Sequence, residues 1–470
     1  MLGLSTGMFI VLILAVLAAC IFEFINGFHD TANAVATVIY TKSLKPQIAV
    51  VWSGIWNFFG VYLGGIAVAM GIINLLPVEA LVDQNIYHNM SMILSLIITA
   101  VIWNLGTWYF GIPCSSSHTL IGSIFGVGIA FMFVGPQGVV ALNWHKVIDA
   151  GLSLLISPVI GFGFAILMMF IFKLIIKRKK FYRKPQENKK PPFWIRGILI
   201  ITSTAVSYSH GSNDGQKGVG LIMIILIAII PSYFALDLSK NPTTMIANVN
   251  QIDRYTHKID STKLNAADLK RLNALKSEVK VLKTIISHSD DIEGVPDSER
   301  FKARKSIITI SRRSIDLLKD CENCKGFNLS KNEIKHFNMS SRDLCSYTEF
   351  APWWVIILIS LSLGLGTMFG WKRIVRTIGE KIGKSPLSYA QGASSSLVAA
   401  STIAASSYFG LPVSTTHVLS SGVAGSMVSS GGVANLQFGT IKNILIAWVI
   451  TIPVTILLAG GLFLLFRTLL

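Results

Sequence analysis

The sequence has little charge for its length. Only 14% of its 470 residues are charged, 52% are hydrophobic, and the mean hydropathy is +0.59. This composition excludes a soluble globular core, because much of the chain consists of apolar runs long enough to cross a bilayer, which takes about 20 residues. Such spans must be helical, since unpaired backbone groups are too costly in hydrocarbon. We therefore expect an all-α polytopic membrane protein.

Eight apolar runs are candidates for these spans, the fifth of them interrupted. They cover residues 8–28, 48–76, 90–110, 152–176, 194–230, 353–370, 387–408 and 441–466. The first run lacks a basic segment before it and a small-residue cleavage site after it. We therefore expect a retained helix and not a cleaved signal peptide.

The net charge of +17 is concentrated beside these runs, which argues against a nucleic-acid partner. Its clusters lie at residues 41–45, 177–190 and 371–384. Because Lys and Arg near the ends of spans favour the cytoplasm, all three loops are expected inside. Both termini are then expected on the periplasmic side of an inner (plasma) membrane.

One segment, residues 236–350, does not belong in lipid. It holds 20 basic and 16 acidic residues, so only eight acids remain for the rest of the chain. Apolar residues recur in it at helical spacing, which predicts a small helical hairpin outside the membrane, on the periplasmic side. The expected divisions are a first membrane repeat (1–176), a basic cytoplasmic linker (177–192), the start of a second repeat (193–235), the insert (236–350) and the rest of the second repeat (351–470).

Two pairs of motifs repeat in order. YFGIPCSSSHTL from Tyr109 returns as YFGLPVSTTHVL from Tyr408, and GFHDTANAVA from Gly27 is matched more weakly by GSNDGQKGVG from Gly211. The first Asp-to-His spacing is 88 residues and the second is 203, and the difference of 115 is the length of the insert. With the charge pattern, this predicts two inverted-topology repeats with broken or re-entrant helices and a site at their midplane.

The repeated Gly-x-Pro motifs are followed by hydroxyl residues that suit helix starts. Two helix N-termini at a midplane would form a cradle for a tetrahedral oxyanion. The structural alternative is that these hydroxyls only cap and pack helices. The candidate anion-binding hydroxyls are Ser115, Ser116, Ser117, Ser414, Thr415 and Thr416.

Three acids, Glu23, Asp30 and Asp214, lie in or beside the apolar runs, where ionisable residues suggest function. A carboxylate repels a bound anion unless the anion carries its own proton or travels with a cation. Phosphate near neutral pH keeps a P–OH donor and sulfate has none, which favours phosphate. Asn26 and Asn33 share a helical face with Glu23 and Asp30; a structural polar network is the alternative.

These four motifs resemble those of the inorganic phosphate transporter (Pit) family, closely its bacterial low-affinity phosphate:proton branch. The resemblance implies a secondary active transporter that imports phosphate by alternating access, as a neutral complex with Mg²⁺ or Ca²⁺, coupled to protons. It implies phosphate held by Asp30, Asn33, Asp214 and the two hydroxyl clusters, with the metal reaching Asp30 and Asp214 only as part of the substrate. No permanently bound cofactor is expected, and a homodimer is considered. A sodium-coupled phosphate symporter and a sulfate permease of the same fold are the alternatives.

The sequence departs from the common family pattern of Gly-x-Asn-Asp-x-x-Asn-Ala. His29 replaces the first Asn, and Lys217 stands where Asn33 stands in the first copy. We predict that the Lys217 ammonium acts as a built-in cation, with a packing salt bridge as the alternative. His118 and His417 are expected to support the cradles. The candidate residues for a proton or coupling ion are Glu23, Asn26, His29, Asp30, His210, Asn213, Asp214 and Lys217.

Other classes of protein fit less well. A Ser–His hydrolase needs an orienting acid that neither motif contains, and a passive anion channel has no use for Asp30 and Asp214, so no enzyme is expected. The insert also holds Cys321, Cys324 and Cys345, and we expect a disulfide from Cys345 to one of the other two.

Overall fold

The structure is a computed structural model that describes residues 4–76, 86–135, 142–186, 189–286, 295–319 and 328–469. The regular secondary structure of these residues is helical, apart from an isolated β-bridge between Gly383 and Leu436. The chain divides into two compact units, one formed by residues 1–225 with 351–470 and the other by residues 226–350.

The described α-helices, in chain order, are α1 (Thr6–Tyr40), α2 (Pro46–Leu63), α3 (Ala67–Ile73), α4 (Ile86–Tyr109), α5 (Ser116–Val134), α6 (Trp144–Ile175), α7 (Phe193–His210), α8 (Gln216–Ile229), α9 (Pro231–Phe234), α10 (Pro242–Lys258), α11 (Ala266–Ile286), α12 (Asp297–Lys319), α13 (Lys331–Cys345), α14 (Trp353–Met368), α15 (Lys372–Glu380), α16 (Tyr389–Tyr408), α17 (Thr415–Gly431) and α18 (Phe438–Leu469). A π-helical turn, Gly211–Gly215, joins α7 to α8.

The first unit is a multi-pass membrane structure. Within the described ranges, six helices are long and apolar enough to cross a bilayer, and the number rises to as many as eight if each of two bent pairs forms one span. The pairs are α2 with α3, bent by 71°, and α14 with α15, bent by 65°. The six are Thr6–Tyr40, Tyr87–Tyr109, Ser116–Val134, Trp144–Ile175, Phe193–Ile229 and Phe438–Leu469.

These spans correct the sequence-based set in three places. Helix α5 is a span that the set omitted, because its polar start at the Ser-rich motif hides the apolar remainder. Helix α16 covers most of the apolar run 387–408. It is not among the six span candidates, since its Ser and Thr residues lower its hydropathy. The run 194–230 is continuous from Phe193 to Ile229, because its polar motif forms a π turn and not a break.

Backbone-to-backbone packing of α2 against α7 positions the second Asp motif. A Cβ on Gly211 would lie 2.2 Å from the Asn57 carbonyl oxygen, and one on Gly60 would lie 2.2 Å from that of Tyr208. Small residues at such contacts let membrane helices approach closely. Glycine is therefore required where the π turn passes α2.

The second unit is a helical bundle with its own core, to which Leu272, Val279 and Leu282 contribute from α11. Its main helices are the four from α10 to α13, so the predicted hairpin is wrong. The two extra helices have start signals in the sequence, Asn241 before Pro242 and the Ser330–Glu333 capping box.

The two ends of this unit lie side by side. The Asp237 amide donates to the Tyr347 carbonyl at 2.9 Å, and the Arg304 guanidinium donates to the carbonyls of Ala235 and Thr348 at 2.9 and 3.0 Å. Burial lowers the pKa of Arg304 to about 10. The chain thus leaves the bundle next to the point where it enters.

The predicted disulfide involves Cys321 and Cys324, which lie outside the described residues. Cys345, at the end of α13, forms no disulfide with any described residue. Burial raises the pKa of its thiol to about 12.

Candidate functional site

The two Gly-x-Pro motifs form turns of the same local geometry. Gly111 and Gly410 have φ angles of 67° and 66°, values that favour glycine. In each turn the next residue closes a backbone hydrogen bond, from Ile112 to the Thr107 carbonyl at 3.0 Å and from Leu411 to that of Ser406 at 2.9 Å. The repeated sequence therefore gives a repeated helix–turn–helix break.

A new helix begins directly after each turn. Ser115 is the N-cap of α5 and its Oγ accepts from the His118 amide at 3.2 Å, while Ser414 caps α17 and accepts from the His417 amide at 3.1 Å. Both serines are buried. The first-turn N–H groups of a helix have no partner within it, so each start offers donors to an anion.

The two aspartates of the repeated motifs meet at these helix starts. Asp30 lies within the continuous helix α1, and Asp214 lies in the π turn. The Ser116 hydroxyl is 3.2 Å from Asp30 Oδ2 and 3.4 Å from Asp214 Oδ2. Side chains from α1, α5 and the π turn therefore converge on one buried point.

The second cradle reaches the same two carboxylates. The Thr416 hydroxyl donates to Asp30 Oδ1, and the Thr415 hydroxyl donates to Asp214 Oδ2 at 3.3 Å. Asn33 Nδ2 donates to Asp30 Oδ1 and to Thr416 Oγ1, both at 3.1 Å. Helices α5 and α17 thus each present hydroxyls to both halves of the carboxylate pair.

Lys217 completes the cluster from the start of α8. Its Nζ lies 2.7 Å from Asp214 Oδ2 and 2.6 Å from Ser117 Oγ, and its side chain is fully buried. The Ser117 hydroxyl in turn donates to the Val413 carbonyl at 2.6 Å. The ammonium is therefore compensated by one carboxylate and one hydroxyl.

His210 faces both carboxylates. Its Nε2 is 3.5 Å from Asp214 Oδ2 and 3.9 Å from Asp30 Oδ2, and its Nδ1 is 3.0 Å from Asn57 Oδ1. One ligand atom from each of Asp30, His210 and Asp214 lies within 4.8 Å of the other two. The residues are hard oxygen donors with one imidazole, a set that can contact a divalent ion carried by phosphate.

Glu23, Asn26 and His29 are placed along the same helix but with different contacts. Glu23 Oε1 accepts from Asn26 Nδ2 at 2.8 Å, and both side chains are fully buried. The imidazole of His29 lies between Thr107 Oγ1 at 3.3 Å and Asp30 Oδ1 at 3.6 Å. His29 therefore adjoins the carboxylate pair, and Glu23 with Asn26 forms a separate polar contact.

The hydrogen bonds of Asn213 go to the second Gly-x-Pro region and not to the carboxylates. Its Nδ2 donates to Ser407 Oγ at 3.1 Å and to the Leu411 carbonyl at 3.2 Å, and its Oδ1 accepts from the Val413 amide at 3.4 Å. These bonds tie the π turn to the second Gly-x-Pro turn, which indicates a positioning role.

The two motif histidines pack against each other behind the cradles. The ring centroids of His118 and His417 are 4.4 Å apart, and Trp448 stacks on His417 at 3.8 Å. Both imidazoles are nearly fully buried. This contact joins the first turns of α5 and α17.

Three supporting residues were missed by the sequence reasoning. Asn57 had a signal, being a polar residue within an apolar run. Gln216 bonds to the Val68 amide at 2.7 Å and the Gly64 carbonyl at 2.9 Å, across the break between α2 and α3, yet nothing local marks it. Trp448 carries no sequence signal that distinguishes it from other aromatic residues of membrane helices.

The cluster is arranged for binding and not for nucleophilic catalysis. The Ser115 and Ser414 hydroxyls contact the backbone amides of His118 and His417, and the observed contacts of those rings are with each other and Trp448. What the cluster offers an oxyanion is hydroxyl donors, two helix starts, an ammonium and carboxylates that can accept from a protonated oxygen.

Comparison with known proteins agrees with this arrangement. The sequence model of the phosphate transporter family matches residues 26–459. The chain is 39% identical over 494 residues to the low-affinity inorganic phosphate transporter PitB of Escherichia coli (strain K12), with 98% of this chain and 97% of that protein covered. It is 40% identical over 476 residues to the low-affinity inorganic phosphate transporter of Buchnera aphidicola subsp. Acyrthosiphon pisum (strain APS), with 96% and 95% covered.

One solved structure, titled the sodium-dependent phosphate transporter, aligns with 98% of this chain and all of its own, with a TM-score of 0.55 and 20% identity. At this identity the likeness shows the fold.

Proposed function

This chain belongs to the phosphate transporter family, and we propose that it imports inorganic phosphate by alternating access, as a neutral divalent metal–phosphate complex and coupled to protons. Its relatives are transporters and not enzymes. The proposal places phosphate at Asp30 and Asp214, between the starts of α5 and α17.

The observation that carries the site is the shared hydroxyl of Ser116, which lies within hydrogen-bond distance of both Asp30 and Asp214. A phosphate entering here would replace the hydroxyl–carboxylate contacts with its own. Its oxygens would accept from Ser116, Thr415, Thr416 and the first-turn N–H groups. Its P–OH would donate to a carboxylate, which sulfate cannot do, and so phosphate is favoured over sulfate.

The metal is proposed as part of the substrate. Mg²⁺ and Ca²⁺ prefer oxygen ligands, and Mg²⁺ is commonly held by one or two carboxylates together with phosphate oxygens. Asp214 Oδ1 and His210 Nε2 have no hydrogen-bond partner among the described residues, although both are buried. These two atoms are open to a metal that arrives with phosphate.

Proton coupling is favoured over sodium coupling by the position of Lys217. Its ammonium pairs with the Asp214 carboxylate and donates a hydrogen bond to the Ser117 hydroxyl. A sodium ion would need these same oxygen groups as ligands. A fixed ammonium supplies the positive charge without a sodium ion. His118 and His417 are proposed as support for the cradles. The candidates for the proton or coupling ion stay Glu23, Asn26, His29, Asp30, His210, Asn213, Asp214 and Lys217.

The inverted arrangement of the repeats, periplasmic termini and insert, and a homodimer are part of the proposal. The equal geometry of the two Gly-x-Pro turns supports a repeat, and the basic loops support the orientation.

The test is phosphate uptake into proteoliposomes with the pH gradient, sodium and magnesium varied independently. We expect uptake to follow the proton gradient, to need a divalent metal and to be unaffected by sodium. Sodium-driven uptake without a proton gradient would favour the sodium symporter, and strong competition by sulfate would favour the sulfate permease.

A further inference from the structure

A cavity of about 750 Å³ lies in the first unit, away from the carboxylate cluster. Three lysines from separate parts of the chain line it: Lys173 of α6, Lys184 of the basic linker and Lys384 of the segment before α16. Among the described residues that line it, none is acidic. The volume is within the range of small-molecule sites.

No described residue forms an ion pair that neutralises these lysines. Within the described ranges, none of the three forms an ion pair, and all are exposed. Lys173 Nζ has a long contact of 3.5 Å with the Ser429 carbonyl near the end of α17. Two of the three ammonium groups, those of Lys184 and Lys384, therefore have no hydrogen-bond acceptor there.

The polar side chains between the lysines also present donors. Gln391 Oε1 accepts from the Ser388 amide at 2.8 Å, and Ser388 Oγ accepts from the Gln391 amide at 3.3 Å, which forms the capping box of α16. Asn435 Oδ1 accepts from Ser385 Oγ at 3.2 Å. Because each amide oxygen is used, the NH₂ groups of Gln391 and Asn435 remain as donors beside the cavity.

This site is separate from the transport site. Helix α17 contacts Asp214 through Thr415 at its first residue, and Gly431, at its last, lines the cavity. At 1.5 Å per residue the two ends are about 24 Å apart. The cavity also adjoins the basic linker 177–192, whose charges favour the cytoplasmic face.

We propose that this lysine cavity is a second phosphate-group site, distinct from the transported phosphate. A cavity whose described lining holds no acid and offers ammonium and amide donors suits a phosphate group, because hydrogen bonds from charged donors are strong and Lys binds phosphate as a point charge. The phosphate group comes either from the headgroup of an anionic phospholipid, which basic pockets at the cytoplasmic end of membrane helices attract, or from free inorganic phosphate.

The test compares Lys184→Gln/Lys384→Gln with Lys45→Gln/Lys442→Gln, which removes the same charge from exposed lysines outside the cavity. Neither pair touches the carboxylate cluster, so phosphate counterflow serves as a check on folding. In one arm, protein from mixed phosphatidylglycerol and phosphatidylcholine nanodiscs is analysed for retained phosphatidylglycerol. In the other arm, inorganic phosphate binding is measured in phosphatidylcholine alone.

We expect the cavity variant, but not the control, to lose binding in one arm by at least about tenfold. Lys184→Arg/Lys384→Arg should retain it, because the positive charge is kept. Loss of retained phosphatidylglycerol identifies a lipid headgroup, and loss of a class of phosphate binding identifies free phosphate. Cavity and control variants that match in both arms would overturn the proposal.

Discussion

Lys217 Nζ lies 2.7 Å from Asp214 Oδ2, and both side chains are fully buried. A buried ion pair is stable only when hydrogen bonds satisfy its remaining groups, and removal of one partner leaves a buried charge. Ser117 Oγ accepts such a hydrogen bond from the ammonium. The pair therefore couples the π turn to the start of α5, on which the phosphate proposal also depends.

The first prediction is that Lys217→Asn confers sodium dependence on phosphate uptake. Asn restores the side chain that the first repeat has at Asn33, and it opens a space beside Asp214 that a sodium ion can fill. Uptake by purified variant in proteoliposomes should rise with external sodium, whereas the wild type should not respond.

Lys217→Met is the control, because it removes the charge without supplying an oxygen ligand. It should be inactive with or without sodium. If Lys217→Asn transports phosphate and ignores sodium, Lys217 is only a packing partner of Asp214.

The sequence predicts the breaks in the helices well, since Gly111 and Gly410 need the backbone conformation that glycine permits, and Pro follows each at two residues. It also predicts the pairing of Asp30 with Asp214, because the repeat aligns them. The span α5 was missed because hydropathy averages over its polar first turn, although burial by neighbouring helices makes that turn tolerable.

Contacts between distant segments could not be predicted. Gln216 bridges a helix break some 150 residues earlier in the chain, and Asn213 forms hydrogen bonds to the second Gly-x-Pro turn. Such roles depend on how the segments pack, and no local pattern marks them. The same holds for the π turn, in which Asp214 differs from Asp30 in backbone although the motifs align.

The second prediction separates the hydroxyls that face the carboxylates from those that cap helices. Ser116→Ala should weaken phosphate binding by about tenfold to a hundredfold, because a hydrogen bond to a charged group contributes roughly 1.5–3 kcal/mol. Ser115→Ala and Ser414→Ala remove caps and should each lower stability by about 1 kcal/mol.

Phosphate affinity and thermal unfolding of the purified variants check this. The sequence-based expectation that Ser115 and Ser414 also donate to phosphate remains a prediction. It requires that Ser115→Ala and Ser414→Ala lose phosphate affinity to a similar extent. Unchanged affinity in Ser116→Ala would remove this hydroxyl from the site.

The third prediction concerns the insert. Replacing residues 241–348 with a short flexible linker should preserve phosphate counterflow, because the chain leaves the bundle beside its entry point, where Asp237 bonds to Tyr347. Loss of phosphate binding in a folded, monodisperse deletion variant would mean that the insert contributes to the site.

The fourth prediction is that Cys345 resists alkylation. Since burial raises the pKa of its thiol to about 12, little of the reactive thiolate exists at pH 8. Iodoacetamide should leave Cys345 unmodified in intact protein and modify it after denaturation, as measured by peptide mass spectrometry. Rapid labelling of the native protein would contradict this burial.

The central claim is that Asp30 and Asp214 hold the phosphate, and the direct measurement is phosphate counterflow in proteoliposomes containing Asp30→Asn or Asp214→Asn. Each change removes a charge while keeping the shape of the side chain. With Lys45→Gln as the matched control for charge change, the account predicts counterflow at the level of empty liposomes for both Asp variants and normal counterflow for the control. Counterflow at the wild-type rate in either folded Asp variant would contradict it.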